Sequence, residues 1–89
     1  MEWTLFADLR DVAGERHVPV DVEPGASVED ALDALLEARP ALRDRVTEDG
    51  ELAPHVNVYR NGESLPREAL DAEVAADDEL ALFPPVSGG

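Results

Sequence analysis

Hydrophobic and polar positions alternate from the first residues. In Glu2-Trp3-Thr4-Leu5-Phe6-Ala7, Trp3, Leu5 and Ala7 fall on one side of an extended chain and Thr4 and Phe6 on the other, a period of two that predicts a first strand. A polar connection containing Gly14 comes next. From Arg16 to Val22 the alternation is strict, with Val18, Val20 and Val22 opposite His17, Pro19 and Asp21. Pro19 has no N–H to give to a ladder, so this second strand is expected at a sheet edge. Pro24-Gly25 breaks it, and the period then changes. Val28, Ala31, Leu32, Leu35 and Leu36 recur at i, i+3, i+4, i+7 and i+8, the apolar stripe of a helix lying on a core. Ser27 with Asp30 three residues on forms a capping-box variant at its start. Glu29 and Asp30 in the first turn and Arg39 in the last suit the helix dipole, and Pro40 ends the element.

Beyond it, Ala41 to Val46 adds a short turn, and Thr47 to Pro54, with Asp49-Gly50 inside, reads as a surface loop. Alternation returns over His55 to Arg60, with Val56 and Val58 inward and Asn57 and Tyr59 outward. Asn61-Gly62 is a tight-turn signal, after which Glu63 to Leu65 returns as a very short strand. Residues 66–78 form an acidic, Ala-rich connection with about one helical turn. Glu79 to Phe83 is the last strand, Leu80 and Leu82 inward and Ala81 and Phe83 outward. The order is strand, strand, helix, strand, short strand, strand, with the first pair antiparallel. A single capped helix crossing one face of a mixed, four- to five-stranded sheet is the β-grasp arrangement, an α+β fold. The domain is expected over residues 1–83, with an extended arm over 84–89.

Composition narrows the chemistry. The 89 residues fit one small domain, and 21 acidic against 7 basic side chains leave a formal charge of -14. Nucleic acid and anionic membrane surfaces are therefore excluded as expected partners, because both recruit clustered cations. There is no Cys and no Lys; all basic residues are Arg. Thiol chemistry, Cys-built metal sites and Schiff bases are thus unavailable to its side chains. A surface of Asp and Glu on a chain with clear apolar periodicity suits a very salty cytosol, where screening weakens the self-repulsion that low salt would expose. The first residues alternate and carry no basic stretch leading into an apolar run, so neither a signal peptide nor a membrane span is expected, and the default compartment is the cytoplasm.

The chemistry is expected at the far end, Leu82-Phe83-Pro84-Pro85-Val86-Ser87-Gly88-Gly89. Pro84 and Pro85 stop the strand and stiffen the backbone of the arm. Gly88 and Gly89, without Cβ atoms, fit a channel too narrow for other residues and present the α-carboxylate of Gly89 to another protein's active site. Once ATP converts that carboxylate to an acyl adenylate, a persulfide, a thiol or a Lys amine can attack it. A diglycine alone is also what a frayed chain end looks like. Its place after Pro-Pro and the last strand separates the two readings.

On these features the sequence resembles the ubiquitin-like small archaeal modifier proteins and, with them, the sulfur-carrier small subunit of molybdopterin synthase. The resemblance runs through Glu2-Trp3-Thr4-Leu5-Phe6-Ala7-Asp8-Leu9, Val28-Glu29-Asp30-Ala31-Leu32-Asp33-Ala34-Leu35, Val56-Asn57-Val58 with Asn61-Gly62, and the ending from Asp78 to Gly89, all similar to the haloarchaeal members. It implies a non-catalytic carrier with no bound cofactor or metal. A ubiquitin-activating-type enzyme using ATP would adenylate Gly89. The product would then be a thiocarboxylate that gives sulfur to a molybdopterin precursor beside the large synthase subunit, or an isopeptide bond to lysines of target proteins.

Of the four aromatic residues, Trp3 alone has inward parity. Phe6, Tyr59 and Phe83, with Ala81, are expected to form an exposed apolar patch beside the root of the arm, as partner surfaces often do. His17 and His55 have outward parity on strands and read as surface imidazoles, since a metal site needs convergent ligands. The carboxylates of Asp77-Asp78-Glu79 lack the spacing of a calcium loop and read as a solvated acidic surface. The alternative function is a β-grasp binding or regulatory module whose terminus is never activated.

Overall fold

Residues 1–84 are described by a computed structural model of the protein. Strand β1 (Glu2–Leu5) buries Trp3 and Leu5 completely and turns Glu2 and Thr4 outward, as the alternation requires. Strand β2 (His17–Pro19) pairs with it antiparallel and lies at the sheet edge, where the missing N–H of Pro19 costs no ladder bond. The helix between the two halves of the sheet, α2 (Val28–Ala38), buries Val28, Ala31, Leu32, Leu35 and Leu36. Each such Leu or Val contributes about 1.5–3 kcal/mol by leaving water. Its capping box is complete: the Ser27 hydroxyl accepts from the Asp30 N–H at 3.1 Å and the Asp30 carboxylate accepts from the Ser27 N–H at 3.0 Å. Two further N–H groups of the first turn, those of Val28 and Glu29, donate to the carbonyls of Ala72 and Leu70. The acidic connection therefore serves as part of the helix cap.

Three strands complete the sheet. These are β5 (Asn57–Arg60), β6 (Glu63–Leu65) and β7 (Glu79–Phe83), in the order β2-β1-β7-β5-β6. Strand β7 runs parallel to β1 and antiparallel to β5, so the sheet is mixed. The two central strands bring Leu80 and Leu82 beside Trp3, Leu5 and Val58 on the inner face. Trp3 also donates its Nε1–H to the Ala31 carbonyl of α2 at 3.0 Å, fixing the helix to the sheet. This is the expected α+β, β-grasp architecture. Asn61 and Gly62 both have positive φ, 50° and 85°, the backbone of the two-residue turn between β5 and β6.

Several elements differ from the sequence-based expectation. Strand β1 ends at Leu5, two residues early, and the chain then turns through Ala7 at φ 53° into a short helix α1 (Asp8–Ala13), where a polar connection was expected. Leu9 from this helix enters the core. Strand β2 covers three residues and not seven. After α2, a 3₁₀ turn over Pro40–Leu42 and the one-turn helix α3 (Arg43–Val46) bury Leu42 and Val46. The stretch expected as a loop carries a small hairpin, β3 (Thr47–Glu48) with β4 (Glu51–Leu52), closed by Asp49 and Gly50 at φ 56° and 81°. His55 lies in the turn before β5, outside any strand. A second 3₁₀ turn, Arg67–Ala69, is the expected single turn of the acidic connection.

Candidate functional site at the root of the C-terminal arm

The outer face of the sheet is set directly by strand register. Thr4 of β1 and Tyr59 of β5 both lie opposite Ala81 of β7. One step of the pleat further along β7, Phe83 meets Phe6, which leaves β1 just beyond its last paired residue. The Phe6 and Phe83 rings are stacked, with centroids 4.2 Å apart and planes 7° apart. Tyr59 leans on Phe83 at 4.8 Å and 59°, within the range at which aromatic pairs attract beyond their buried area. Phe6, Tyr59, Ala81 and Phe83 are all half-buried, so the four expected residues form one continuous apolar patch. The Arg16 guanidinium lies 5.9 Å from the centroid of the Phe6 ring, at the outer limit of a cation–π contact. Among the described residues Arg16 is an exposed guanidinium with no carboxylate partner.

Strand β7 carries this patch straight into the arm. Pro84, half-buried, comes directly after Phe83 and belongs to no strand. Pro85, Val86, Ser87, Gly88 and Gly89, the other arm residues expected to matter, lie outside the described residues.

The start of β7 is fastened to the β5–β6 turn by a polar clamp. Asp78, 7% exposed, accepts from the Ala75 N–H at 2.8 Å and from the Asn61 side-chain amide at 3.0 Å, and pairs with Arg60 at 2.7 Å. The Ala75 N–H, then the Asn61 amide and then Arg60 hold its carboxyl below the usual carboxylate range, outweighing the opposing effect of burial. Asn61 is itself bound twice to Glu79: its N–H donates to the Glu79 carbonyl at 2.8 Å, and its Oδ1 accepts from the Glu79 N–H at 2.9 Å. Asp78 is thus not part of the solvated acidic surface that its neighbours suggested. Its partner Asn61 lies 17 residues away in the chain, and the one local sign of it was the Gly62 turn beside it. The clamp fixes where β7 begins and hence where the aromatic face and Pro84 lie.

His17 and His55 are exposed. His17 contacts Glu2 at 3.2 Å and the Thr4 hydroxyl at 3.3 Å, while His55 is placed with neither. Among the described residues no group of three or more His, Asp or Glu side chains is arranged to hold a metal ion. In the same range no helix is long and apolar enough to cross a membrane.

Residues 3–89 match the model of the ThiS family. The chain belongs to the ThiS family. Within it, the chain is 63% identical over the whole length of both proteins to small archaeal modifier protein 1 of Haloferax volcanii. The crystal structure of SAMP1 from that organism superimposes with a TM-score of 0.92, at 62% identity over 100% of this chain and 98% of the other. A molybdopterin synthase sulfur carrier subunit of Chlamydomonas reinhardtii is 36% identical over 94% of this chain and 92% of its own. This ThiS-family chain is therefore a homologue of a ubiquitin-like modifier and a relative of sulfur-carrier subunits, and its β-grasp fold is theirs. The ThiS match extends through the diglycine at positions 88 and 89.

Proposed function

We propose that this protein is a ubiquitin-like modifier and sulfur carrier that acts through the main-chain carboxylate of Gly89. A carboxylate at neutral pH is a poor electrophile. An activating enzyme of the ubiquitin-activating type would bind the aromatic face and admit the arm, and the carboxylate oxygen would attack the α-phosphorus of ATP with loss of pyrophosphate. In the resulting acyl adenylate the carbonyl carbon is bonded to a good leaving group. Attack by a lysine amine of a target protein forms the amide C–N bond, breaks the C–O bond to AMP and releases one proton. Attack by a persulfide sulfur instead expels AMP and leaves an acyl persulfide. A second thiol then reduces its S–S bond, giving a C-terminal thiocarboxylate and a disulfide of the two donors.

The thiocarboxylate would donate sulfur to a molybdopterin precursor in a complex with the large synthase subunit. Both routes belong in the cytoplasm, where ATP and reduced thiols are available, and need no cofactor on this chain. The arm is a substrate of other proteins' active sites, so the chain's own residues bind and present and do not catalyse.

The observation that supports this reading most is the continuity of the Phe6, Tyr59, Ala81 and Phe83 face with Pro84 at the base of an arm ending in Gly88-Gly89. A docking surface at that point commits a bound enzyme to the terminus. The test is reconstitution with a candidate activating enzyme and ATP. Pyrophosphate release and an adenylate on Gly89 are expected, both lost on deleting Gly88 and Gly89. A terminus that stays a plain carboxylate with every activating enzyme of the host would favour the regulatory-module alternative.

A further inference from the structure

A modifier that can itself be modified builds chains, and that requires an amine on its own surface. The seven basic side chains of this protein are arginines, at positions 10, 16, 39, 43, 45, 60 and 67, and lysine is absent. Arg10, Arg16, Arg43, Arg45 and Arg67 are exposed, at the kind of position where a lysine would meet an activated carboxyl group. A guanidinium keeps its proton at any physiological pH and has no free lone pair with which to attack an acyl adenylate. Arginine thus preserves positive charge on a strongly anionic protein while removing every side-chain amine acceptor.

The backbone amine is engaged as well. The Met1 ammonium donates to the Val20 carbonyl at 3.3 Å, and the Val20 N–H donates to the Met1 carbonyl at 3.0 Å. This exchange extends the β1–β2 ladder by one pair, beyond Glu2 opposite Pro19. Met1 is half-buried and packs on the core. To act as a nucleophile this amine would have to lose its proton and leave the ladder.

We infer that this protein forms single-copy attachments and closes any branch it is added to. The inference rests on the modifier reading and concerns the fate of the conjugate after the first amide bond. Once Gly89 has been joined to a target lysine and AMP has left, the new surface offers no lysine for a second round. If the target is itself a lysine-bearing modifier, the mixed chain stops at this copy. The number of copies on a target then cannot exceed the number of the target's own acceptor amines.

The test uses the full chain, an activating enzyme, ATP and an acceptor protein carrying one lysine. Three forms are compared: wild type, Arg10→Lys and Arg43→Lys, the last at an exposed site without an ion-pair partner among the described residues. The wild type is expected to raise the acceptor by one 9.6 kDa copy and no more, whereas at least one lysine variant gives a ladder of two or more copies. A wild-type product with two linked copies, joined through Met1 or a hydroxyl and mapped by peptide mass spectrometry, would overturn the inference. So would lysine variants that conjugate as well as wild type yet remain single-copy, because lysine content would then not be the limit. An adenylate that forms with all three but never reaches the acceptor would overturn the modifier reading itself, a different and recognisable result.

Discussion

Truncating Phe83 to Ala separates the role of the aromatic face in folding from its role in docking. The Phe83 ring is half-buried, stacked on Phe6 at 4.2 Å and flanked by Tyr59 at 4.8 Å. A fully buried Phe costs about 3–5 kcal/mol when cut to Ala. Because Phe83 is partly and not fully buried, the loss of stability is expected at the lower end of that range or just below it, roughly 2–3 kcal/mol. Of this, about 0.5–1.5 kcal/mol belongs to the ring pair beyond its area. A double-mutant cycle with Phe6→Ala isolates that part, measured by urea unfolding in concentrated salt. A small domain with about 5–15 kcal/mol of stability is expected to survive either single truncation, and the cycle is measured at a salt concentration where the double variant still shows a folded baseline.

Docking should suffer as well. Aromatic anchors at the centre of an interface cost at least about 2 kcal/mol on truncation, roughly a 30-fold rise in Kd for the activating enzyme, read by calorimetric titration. A coupling energy of zero would mean that the rings do not stabilise one another. An unchanged Kd on a folded variant would remove the face from the docking account.

Asp78→Asn should cost about 1.5–3 kcal/mol, because the charge-assisted bonds to Ala75 and Arg60 are lost while both donors stay partly buried. Since the folded carboxyl titrates below its unfolded counterpart, its contribution is fully present above the ordinary carboxylate range and disappears as pH falls through that range towards the folded value. Acid unfolding of Asp78→Asn should therefore be shallower than that of the wild type, and parallel pH profiles would refute the clamp. Ser27→Ala removes half of the capping box and should cost about 0.5–2 kcal/mol, seen as a lower urea midpoint with unchanged slope. With a net charge of -14, stability should climb as ionic strength rises from about 0.1 to 1 M and the Debye length falls from about 10 to 3 Å. A midpoint independent of salt would contradict a self-repelling surface.

The parts of the fold legible in the sequence were those whose burial repeats over several residues. The α2 stripe and the parity of β1, β5 and β7 needed only their own segments, and the aromatic face was legible with them because parity and strand adjacency both concern alternate residues. Helix α1 was missed because a six-residue element has room for one fully buried residue, Leu9, with Val12 and Ala13 only partly covered. The β3–β4 hairpin failed for a similar reason: two-residue strands carry no period, and Asp49-Gly50 was its one signal. The Asp78 clamp was hidden by composition. One carboxylate in an acidic run looks like its neighbours until Asn61 and Arg60 are brought to it through the tertiary fold. Arg16 was passed over because nothing local to it points to the Phe6 ring.

The most direct test of the central claim is the intact mass of the protein isolated from its own host, with its conjugates digested and sequenced by mass spectrometry. A fraction in which one terminal oxygen is replaced by sulfur, together with peptides joining Gly89 to a lysine of another protein, is the predicted result. A population from that host ending wholly in an unmodified carboxylate, together with normal molybdenum cofactor production in a separate strain whose copy lacks Gly88 and Gly89, would contradict it.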